Sequence, residues 1–334
     1  MGDAVTPAPS SRTIGRAAIG AALLAAALPG FAAAHKIDVG GFRLNLRCEG
    51  EGTPVVVFDA GAGDTLATWD WVVPGIKKLT RTCTYDRAGL GRSDRGPAPR
   101  TSERIVAELA HLLARAGVRP PYVLVGHSFG GLNVRLYAAR HPDQVAGLVL
   151  VDGTPEDFPA IEDSLRTPAE REKLRTSRSL APLAFTEEIE SMTASAASVR
   201  AATVPASLPV TILTASHHGD SPEFRSTWAA LQRRMAASFP NGRQILAERS
   251  DHYIQFDEPE KVIDAVREIV SALRARRDAP AAHGITPAGA GIFGSTLTVP
   301  VFSRSALNRG LTLKPSSSAR FNDAFASARR PAVQ

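Results

Sequence analysis

The sequence predicts an α/β fold, namely a mostly parallel sheet of eight strands with helices on both faces. Several short runs rich in β-branched residues are almost wholly apolar, which is typical of strands buried on both faces. Helical patterns alternate with these runs along the chain, as parallel strand connections require. The 334 residues are 44% hydrophobic and 22% charged, which is enough for the core of one large domain.

The predicted strands open with an antiparallel pair, because two short alternating segments bounded by glycines come first. The later strands are shorter and more apolar, such as PVVVF at 54–58 and VAGLVLV at 145–151. The eight predicted strands are residues 35–39, 42–48, 54–58, 80–85, 122–126, 145–151, 210–213 and 244–248.

Predicted helices fall between and after these strands. Helical patterns cover residues 101–116 and 131–140. Near the end of the body, Asp257 with Glu260 three residues later has the pattern of a helix cap. An apolar stripe from Val262 to Leu273 follows at helical spacing, so a long last helix is predicted to begin at Asp257.

Residues 1–34 have the features of a secretory signal peptide. Arg12 and Arg16 precede an apolar run at 17–28, and small residues end the segment at Ala34, where cleavage is predicted. The expected location is therefore secreted or periplasmic, with no stable membrane span in the mature chain. The alternative is an N-terminal membrane anchor, for which the apolar run is short and rich in alanine.

The remaining chain divides into a body at 35–278 and a flexible basic tail at 279–334. Residues 155–207 form a long, charged and helical insertion between the sixth and seventh strands, which we name the cap segment and expect to cover a site. The body carries 31 basic and 31 acidic residues. A neutral body and an aromatic content of 6% give no support for nucleic-acid binding.

The strongest chemical motif is YVLVGHSFGG at 122–131, in which a buried strand runs into G-x-S-x-G and then into a helix. Gly126 and Gly130 lack the Cβ atoms that would clash in the sharp turn that lifts Ser128 above the sheet. Ser128 is therefore a candidate nucleophile. A serine that merely caps the helix is the structural alternative.

With this motif the chain resembles the α/β-hydrolase family, and the resemblance covers about residues 36–275. Three further stretches are similar to the family: VVVFDAGAGD to its oxyanion loop, YDRAGLGRSD to its fourth-strand turn, and SDHYIQFDEPEKV to its histidine loop. The resemblance implies that Ser128 is the nucleophile and that His252 is its base. A serine at this position argues against haloalkane dehalogenase and epoxide hydrolase chemistry, which need a carboxylate there.

The acid partner of His252 has two candidates. Asp220 follows the seventh strand, where the family usually has its acid, but His218 stands at the expected position and Asp220 falls two residues later. Asp152 ends the sixth strand, from which some family members take the acid, although a carboxylate there also caps turns. Either candidate gives the chain order Ser, Asp, His.

The resemblance also implies the two oxyanion donors, which are the backbone N–H groups of Phe129 and Ala62. The chain has Ala60-Gly61 where the family more often has His-Gly, so the alternative for the second donor is a residue next to Ala62 in the chain. In the fourth-strand turn, Asp86 and Arg87 are expected to tie the turn together rather than to take part in chemistry.

No cofactor and no metal are predicted. The tail contains GAGIFG, but no strand precedes it, so it does not have the setting of a dinucleotide site. His217 and His218 are adjacent in a loop, and no metal-ligand spacing accompanies them.

Cys48 and Cys83 are the two cysteines of the chain, and in an oxidising compartment two cysteines usually pair. In the α/β-hydrolase family the second and fourth strands are neighbours, so the resemblance implies a disulfide between these residues. The alternative is two buried free thiols.

These observations predict an exported serine hydrolase that cleaves a carboxylic ester of a small acyl substrate through an acyl-enzyme. Amide, thioester or carbon–carbon bond hydrolysis is the alternative on the same residues. A non-catalytic binding module on a hydrolase scaffold is the alternative of a different class.

Overall fold

A computed structural model describes residues 2, 34–219 and 221–278 of the chain. The predicted tail, the alternative acid Asp220 and all of the predicted signal peptide except Gly2 and Ala34 lie outside the described residues. Within the described residues, no helix is both long and apolar enough to cross a membrane.

Eight strands form one sheet in the order β1-β2-β4-β3-β5-β6-β7-β8. The first strand pairs antiparallel with the second, the second pairs antiparallel with the fourth, and the remaining pairs are parallel. The strands are β1 (His35–Asp38), β2 (Arg43–Glu49), β3 (Val55–Asp59), β4 (Thr82–Tyr85), β5 (Tyr122–His127), β6 (Val145–Val151), β7 (Val210–Ala215) and β8 (Gly242–Ala247). The predicted fold class is confirmed, with strand ends within two residues of the predicted ones.

Nine α-helices lie between and after these strands in the described part of the chain. Three of them, α4 to α6, belong to the cap segment. The helices are α1 (Val73–Ile76), α2 (Ser102–Arg115), α3 (Phe129–Arg140), α4 (Pro168–Ser179), α5 (Leu183–Glu190), α6 (Met192–Arg200), α7 (Pro222–Ala237), α8 (Ile254–Asp257) and α9 (Pro259–Asp278).

The predicted start of the last helix is wrong. Asp257 is the final residue of the short helix α8, and α9 begins two residues later at Pro259. Glu258 between them has φ −137° and ψ 60°, because a residue before proline is pushed out of the helical region. Proline itself is well suited to the first turn of the new helix.

The sheet separates two hydrophobic layers, and β3 shows how the sequence builds both. Val55 and Val57 pack in one layer, while Val56 and Phe58 pack in the other. Because successive side chains of a strand point to opposite faces, a wholly apolar strand is buried on both sides. Helices α2 and α3 cover the first layer, and α1 and α9 cover the second.

Cys48 in β2 and Cys83 in β4 are directly opposite each other in the antiparallel register. Their Cα atoms are 4.1 Å apart, and the two residues form a disulfide. The bond therefore joins the antiparallel edge of the sheet to its parallel centre.

Candidate active site

Ser128 occupies a sharp turn between β5 and α3, with φ 51° and ψ −120°. Non-glycine residues seldom adopt a positive φ, and they tend to do so at functional sites. The two flanking glycines permit the turn. A Cβ atom on Gly126 would lie 2.5 Å from the carbonyl oxygen of Gly130, and one on Gly130 would lie 2.3 Å from that of Asp59.

His252 lies in the loop after β8, and Asp152 follows the last residue of β6. The Nδ1 atom of His252 is 2.7 Å from the Oδ2 atom of Asp152. A carboxylate accepts this bond, so Nδ1 carries the proton and Nε2 keeps a lone pair. His252 is thus arranged to take a proton at Nε2.

The carboxylate of Asp152 is completely buried and has further donors. Its Oδ1 atom accepts hydrogen bonds from the indole N–H of Trp228 at 2.8 Å and from the backbone N–H of Ala215 at 3.0 Å. Burial alone would raise the pKa of Asp152, but His218 and His252 lower it below its usual range. Asp152 therefore stays ionised at neutral pH and can stabilise a positive charge on His252.

A second histidine, His218, also lies against Asp152. Its Nδ1 atom is 2.7 Å from the same Oδ2 atom, although the ring is not aligned for a good hydrogen bond. The His218 and His252 rings are 4.1 Å apart between centroids. Burial, followed by repulsion from His252, lowers the pKa of His218, so this histidine is neutral at neutral pH.

The cluster of Asp152, His218 and His252 also has potential as a metal site. Among the described residues, it is the one group whose ligand atoms all lie within 4.8 Å of one another. A metal ion on both Nδ1 atoms would displace the hydrogen bond from His252 to Asp152. Metal binding and the proton transfer described above are therefore alternative uses of the same atoms.

His127 supports the loop that carries His252. Its Nε2 atom is 3.1 Å from the backbone carbonyl oxygen of His252, so Nε2 must be the protonated, donating nitrogen. The ring is fully buried, and burial lowers the pKa of His127. This neutral histidine fixes the position of the His252 backbone.

The loop after β3 makes a tight turn beside Ser128. The N–H of Asp64 donates to the carbonyl of Gly61 at 3.1 Å, and Gly63 has φ 74° at the third position of the turn, where glycine is favoured. Within the described part of the chain, the N–H groups of Ala62 and Phe129 have no acceptor. Ala62 lines the same cavity as Ser128, and Phe129 is the residue after Ser128, so both N–H groups remain available to a ligand.

A buried arginine, Arg87, binds the backbone of this loop. The guanidinium group is 2% exposed and donates to the carbonyl oxygens of Ala60 at 2.7 Å and Gly61 at 2.5 Å. It also pairs with Asp59 at 2.7 Å and with Glu188 of helix α5 at 2.7 Å. Burial would lower the pKa of Arg87, but Glu188 and Asp59 raise it well above its ordinary value, so the charge is permanent.

Ser128, His252 and Ala62 line one cavity of about 500 Å³. Half of its 22 lining residues come from the cap segment. The walls are mainly apolar, with contributions from Phe158, Leu174, Phe185, Met192, Phe224 and Trp228. The site therefore suits a substrate with an apolar part held over Ser128.

The structure brings Ser128, His252 and Asp152 together at the carboxyl ends of the strands, with Phe129 and Ala62 beside them. Asp220 lies outside the described residues. Sequence reasoning missed the contact of His218 with Asp152 and the contact of Glu188 with Arg87. Both depend on partners far away in the chain, and the one signal for His218 was its place where the family usually has an acid.

A family model described as the alpha/beta hydrolase fold matches residues 53–258. The sequence is 29% identical to the uncharacterized protein YqjL of Bacillus subtilis over 227 residues, which is 66% of this chain and 85% of the relative. It is 26% identical to the 2-(acetamidomethylene)succinate hydrolase of Mesorhizobium japonicum over 271 residues, which is 71% of this chain and 95% of the relative.

Solved structures share the fold. A thermophilic esterase from Thermogutta terrifontis aligns with a TM-score of 0.54 at 22% identity, over 73% of this chain and 99% of the esterase. The enol-lactonase from Burkholderia xenovorans LB400 aligns with a TM-score of 0.51 at 20% identity, over 71% of this chain and the whole of the lactonase. The family match over more than half of the sequence, together with the strand order, shows that this chain belongs to the α/β hydrolase fold family.

Proposed function

We propose that this protein is an exported serine hydrolase that cleaves carboxylic esters through an acyl-enzyme intermediate. The observation that carries the proposal is the hydrogen bond of 2.7 Å from His252 to the buried Asp152, in the same cavity as Ser128. A serine hydroxyl needs a base beside it to become a nucleophile, and the imidazole that Asp152 orients is that base.

The reaction begins when the Oγ atom of Ser128 attacks the ester carbonyl while its proton moves to Nε2 of His252. Asp152 stabilises the resulting imidazolium, and the N–H groups of Phe129 and Ala62 bind the negative oxygen of the tetrahedral intermediate. His252 then gives the proton to the leaving alcohol. In the second half, a water molecule gives a proton to His252 as its oxygen attacks the acyl carbonyl, and His252 returns that proton to Oγ of Ser128 as the carboxylic acid leaves.

The cavity and the similar proteins support the proposed substrate class. An apolar wall around Ser128 favours an acyl ester with an apolar portion over a fully charged substrate. Among the similar proteins are an esterase, an enol-lactonase and a hydrolase of an acetamidomethylene succinate. Their names support hydrolysis at a carbonyl centre, while amides, thioesters and carbon–carbon bonds are the alternative substrates.

The export of the protein rests on two features. Residues 1–34 have the pattern of a signal peptide, and the disulfide between Cys48 and Cys83 is of a kind that persists in oxidising compartments. The mass of the mature protein tests this point, because cleavage after Ala34 removes the first 34 residues.

A fluorophosphonate probe tests the enzymatic proposal directly. Stoichiometric labelling of Ser128, found by peptide mass spectrometry, supports a serine hydrolase. Folded protein that takes up no probe and hydrolyses nothing would instead support a binding module. A panel of esters, amides and thioesters with graded acyl length then ranks the substrates by kcat/KM.

A further inference from the structure

One completely buried carboxylate of the cap segment contacts the loop that carries Ala62. Glu188, in helix α5, is 0% exposed. Burying a carboxylate is costly unless it is paired with a cation and hydrogen-bonded. Its Oε1 atom accepts from Nε of Arg87 at 2.7 Å, and its Oε2 atom accepts from Nη2 of Arg87 at 2.9 Å. This paired geometry is the strongest form of an arginine–carboxylate contact.

The same carboxylate also holds the loop itself. Oε2 of Glu188 accepts a hydrogen bond of 2.9 Å from the backbone N–H of Gly63. The carbonyls of Ala60 and Gly61 on the other side of Ala62 are held by Arg87. The peptide groups around Ala62 are thus fixed from both directions by one buried ion pair.

We infer that Glu188 is a positioning residue, which acts with Arg87 to hold the turn at Ala62 so that its N–H faces the developing oxyanion. This inference rests on the proposed function. It means that the cap segment also supports catalysis, because the loop that carries Ala62 keeps its observed shape through its contacts with helix α5.

The loop should depend on Glu188 because two buried groups would lose a hydrogen-bond or charge partner without it. Without Glu188, the N–H of Gly63 loses its acceptor, and Arg87 keeps a single carboxylate, Asp59, against its buried charge. Unsatisfied buried groups are costly, so the turn would rearrange to satisfy them. A small rotation of the peptide before Ala62 is enough to turn an oxyanion donor away.

The test compares Glu188→Gln with Glu187→Gln. Glu187 is the preceding residue of α5, and it pairs at 2.7 Å with Arg95, which is 60% exposed. The control therefore removes the same charge and an ion pair between the same helix and the body, but no contact with the loop. For both variants we would measure kcat and KM for the best ester, the Ki of a trifluoromethyl ketone, and the melting temperature.

The ketone forms a tetrahedral adduct with Ser128 and so reports on the oxyanion donors. For Glu188→Gln we expect kcat to fall roughly 10- to 100-fold, the Ki of the ketone to rise by a similar factor, and KM to change little. For Glu187→Gln we expect wild-type values. A Glu188→Gln variant that loses thermal stability but keeps kcat and Ki would overturn the inference.

If Glu188→Gln does not fold, Glu188→Asp keeps the charge but withdraws the carboxylate from Gly63. The same parallel loss of kcat and of ketone affinity is expected, and unchanged values would reject the inference. The wild-type protein separates this result from the proposed function. If wild-type protein neither reacts with the probe nor hydrolyses esters, the proposed function is wrong, whereas an active wild type with an unaffected variant removes the role of Glu188 alone.

Discussion

The two sides of the Ser128 cavity are built in different ways. On the acid–base side, Asp152, His218 and His252 all follow strands of the sheet, and Asp152 is held by Trp228 and the backbone of Ala215. On the oxyanion side, the loop after β3 is held by an arginine that is itself paired with the cap segment.

The comparison indicates where substitutions in the cap segment will act. The acid–base side is anchored in the sheet and needs no cap residue for the contact between His252 and Asp152. On the proposed oxyanion side, the loop that carries Ala62 is bound by Glu188 of helix α5. Under the proposed mechanism, a change in the cap therefore alters transition-state stabilisation as well as substrate binding, because the ion pair of Glu188 with Arg87 links the cap segment to this loop.

The largest expected effect is at Ser128, which both sides serve. We predict that Ser128→Ala lowers kcat by about 10⁴-fold or more, while the melting temperature stays close to that of the wild type. Steady-state kinetics and circular dichroism check both points. A variant that keeps more than a few per cent of the activity would show that Ser128 is not the nucleophile.

Asp152→Asn disrupts the acid–base side and leaves the loop that carries Ala62 unchanged. The amide can still accept the hydrogen bonds of Trp228 and Ala215, but it presents N–H groups to Nδ1 of His252 and cannot stabilise the imidazolium. We predict a fall in kcat of about 10³- to 10⁴-fold, and a far smaller fall for Asp220→Asn. If the two variants behave in the reverse order, the acid follows β7.

These assignments differ in how far the sequence could predict them. The sharp turn at Ser128 was predictable because its glycines and its flanking strand and helix are contiguous. The choice between Asp152 and Asp220 was not, because both follow parallel strands that end at the same edge of the sheet. Which carboxylate reaches His252 depends on side-chain directions that no local pattern encodes.

The cap and its surroundings show the same limit. Glu188 is one acid among many in a charged segment, and its partner Arg87 is 101 residues away. Helix α7 was missed because Gln232 interrupts its buried stripe of Phe224, Trp228 and Met235. That glutamine is buried because it donates to the carbonyl of Gly153 at 2.8 Å, a tertiary contact that periodicity cannot show.

His218 gives a smaller and more specific test of the acid–base side. In the wild type, the Nδ1 atoms of His218 and His252 both lie 2.7 Å from one oxygen of Asp152. Removing His218 leaves that oxygen to His252 alone and keeps the hydrogen bond from His252 to Asp152. For His218→Phe we therefore predict that kcat falls less than about tenfold, in contrast to the fall of about 10³- to 10⁴-fold in Asp152→Asn.

The neighbouring His217 is exposed and supplies the control. His217→Phe should leave kcat and KM at wild-type values. A fall of kcat in His218→Phe as large as that in Asp152→Asn would show that the contact of His218 with Asp152 is itself needed for the reaction.

The disulfide should affect stability without affecting chemistry, because β2 and β4 lie away from the acid–base side. The bond closes a loop with a sequence separation of 35, for which chain entropy gives a stabilisation of about 3–4 kcal/mol. We predict that Cys48→Ser with Cys83→Ser lowers the melting temperature by several degrees and leaves kcat at 25 °C within about twofold of the wild type. Thiol titration of the denatured, unreduced wild-type protein provides the control: two free thiols per chain would contradict the bond, whereas none before reduction and two after it would agree with it. A large loss of kcat in the double variant would mean that strands β2 and β4 also stabilise the loop after β3. The disulfide would then contribute to the geometry of the active site as well as to the stability of the fold.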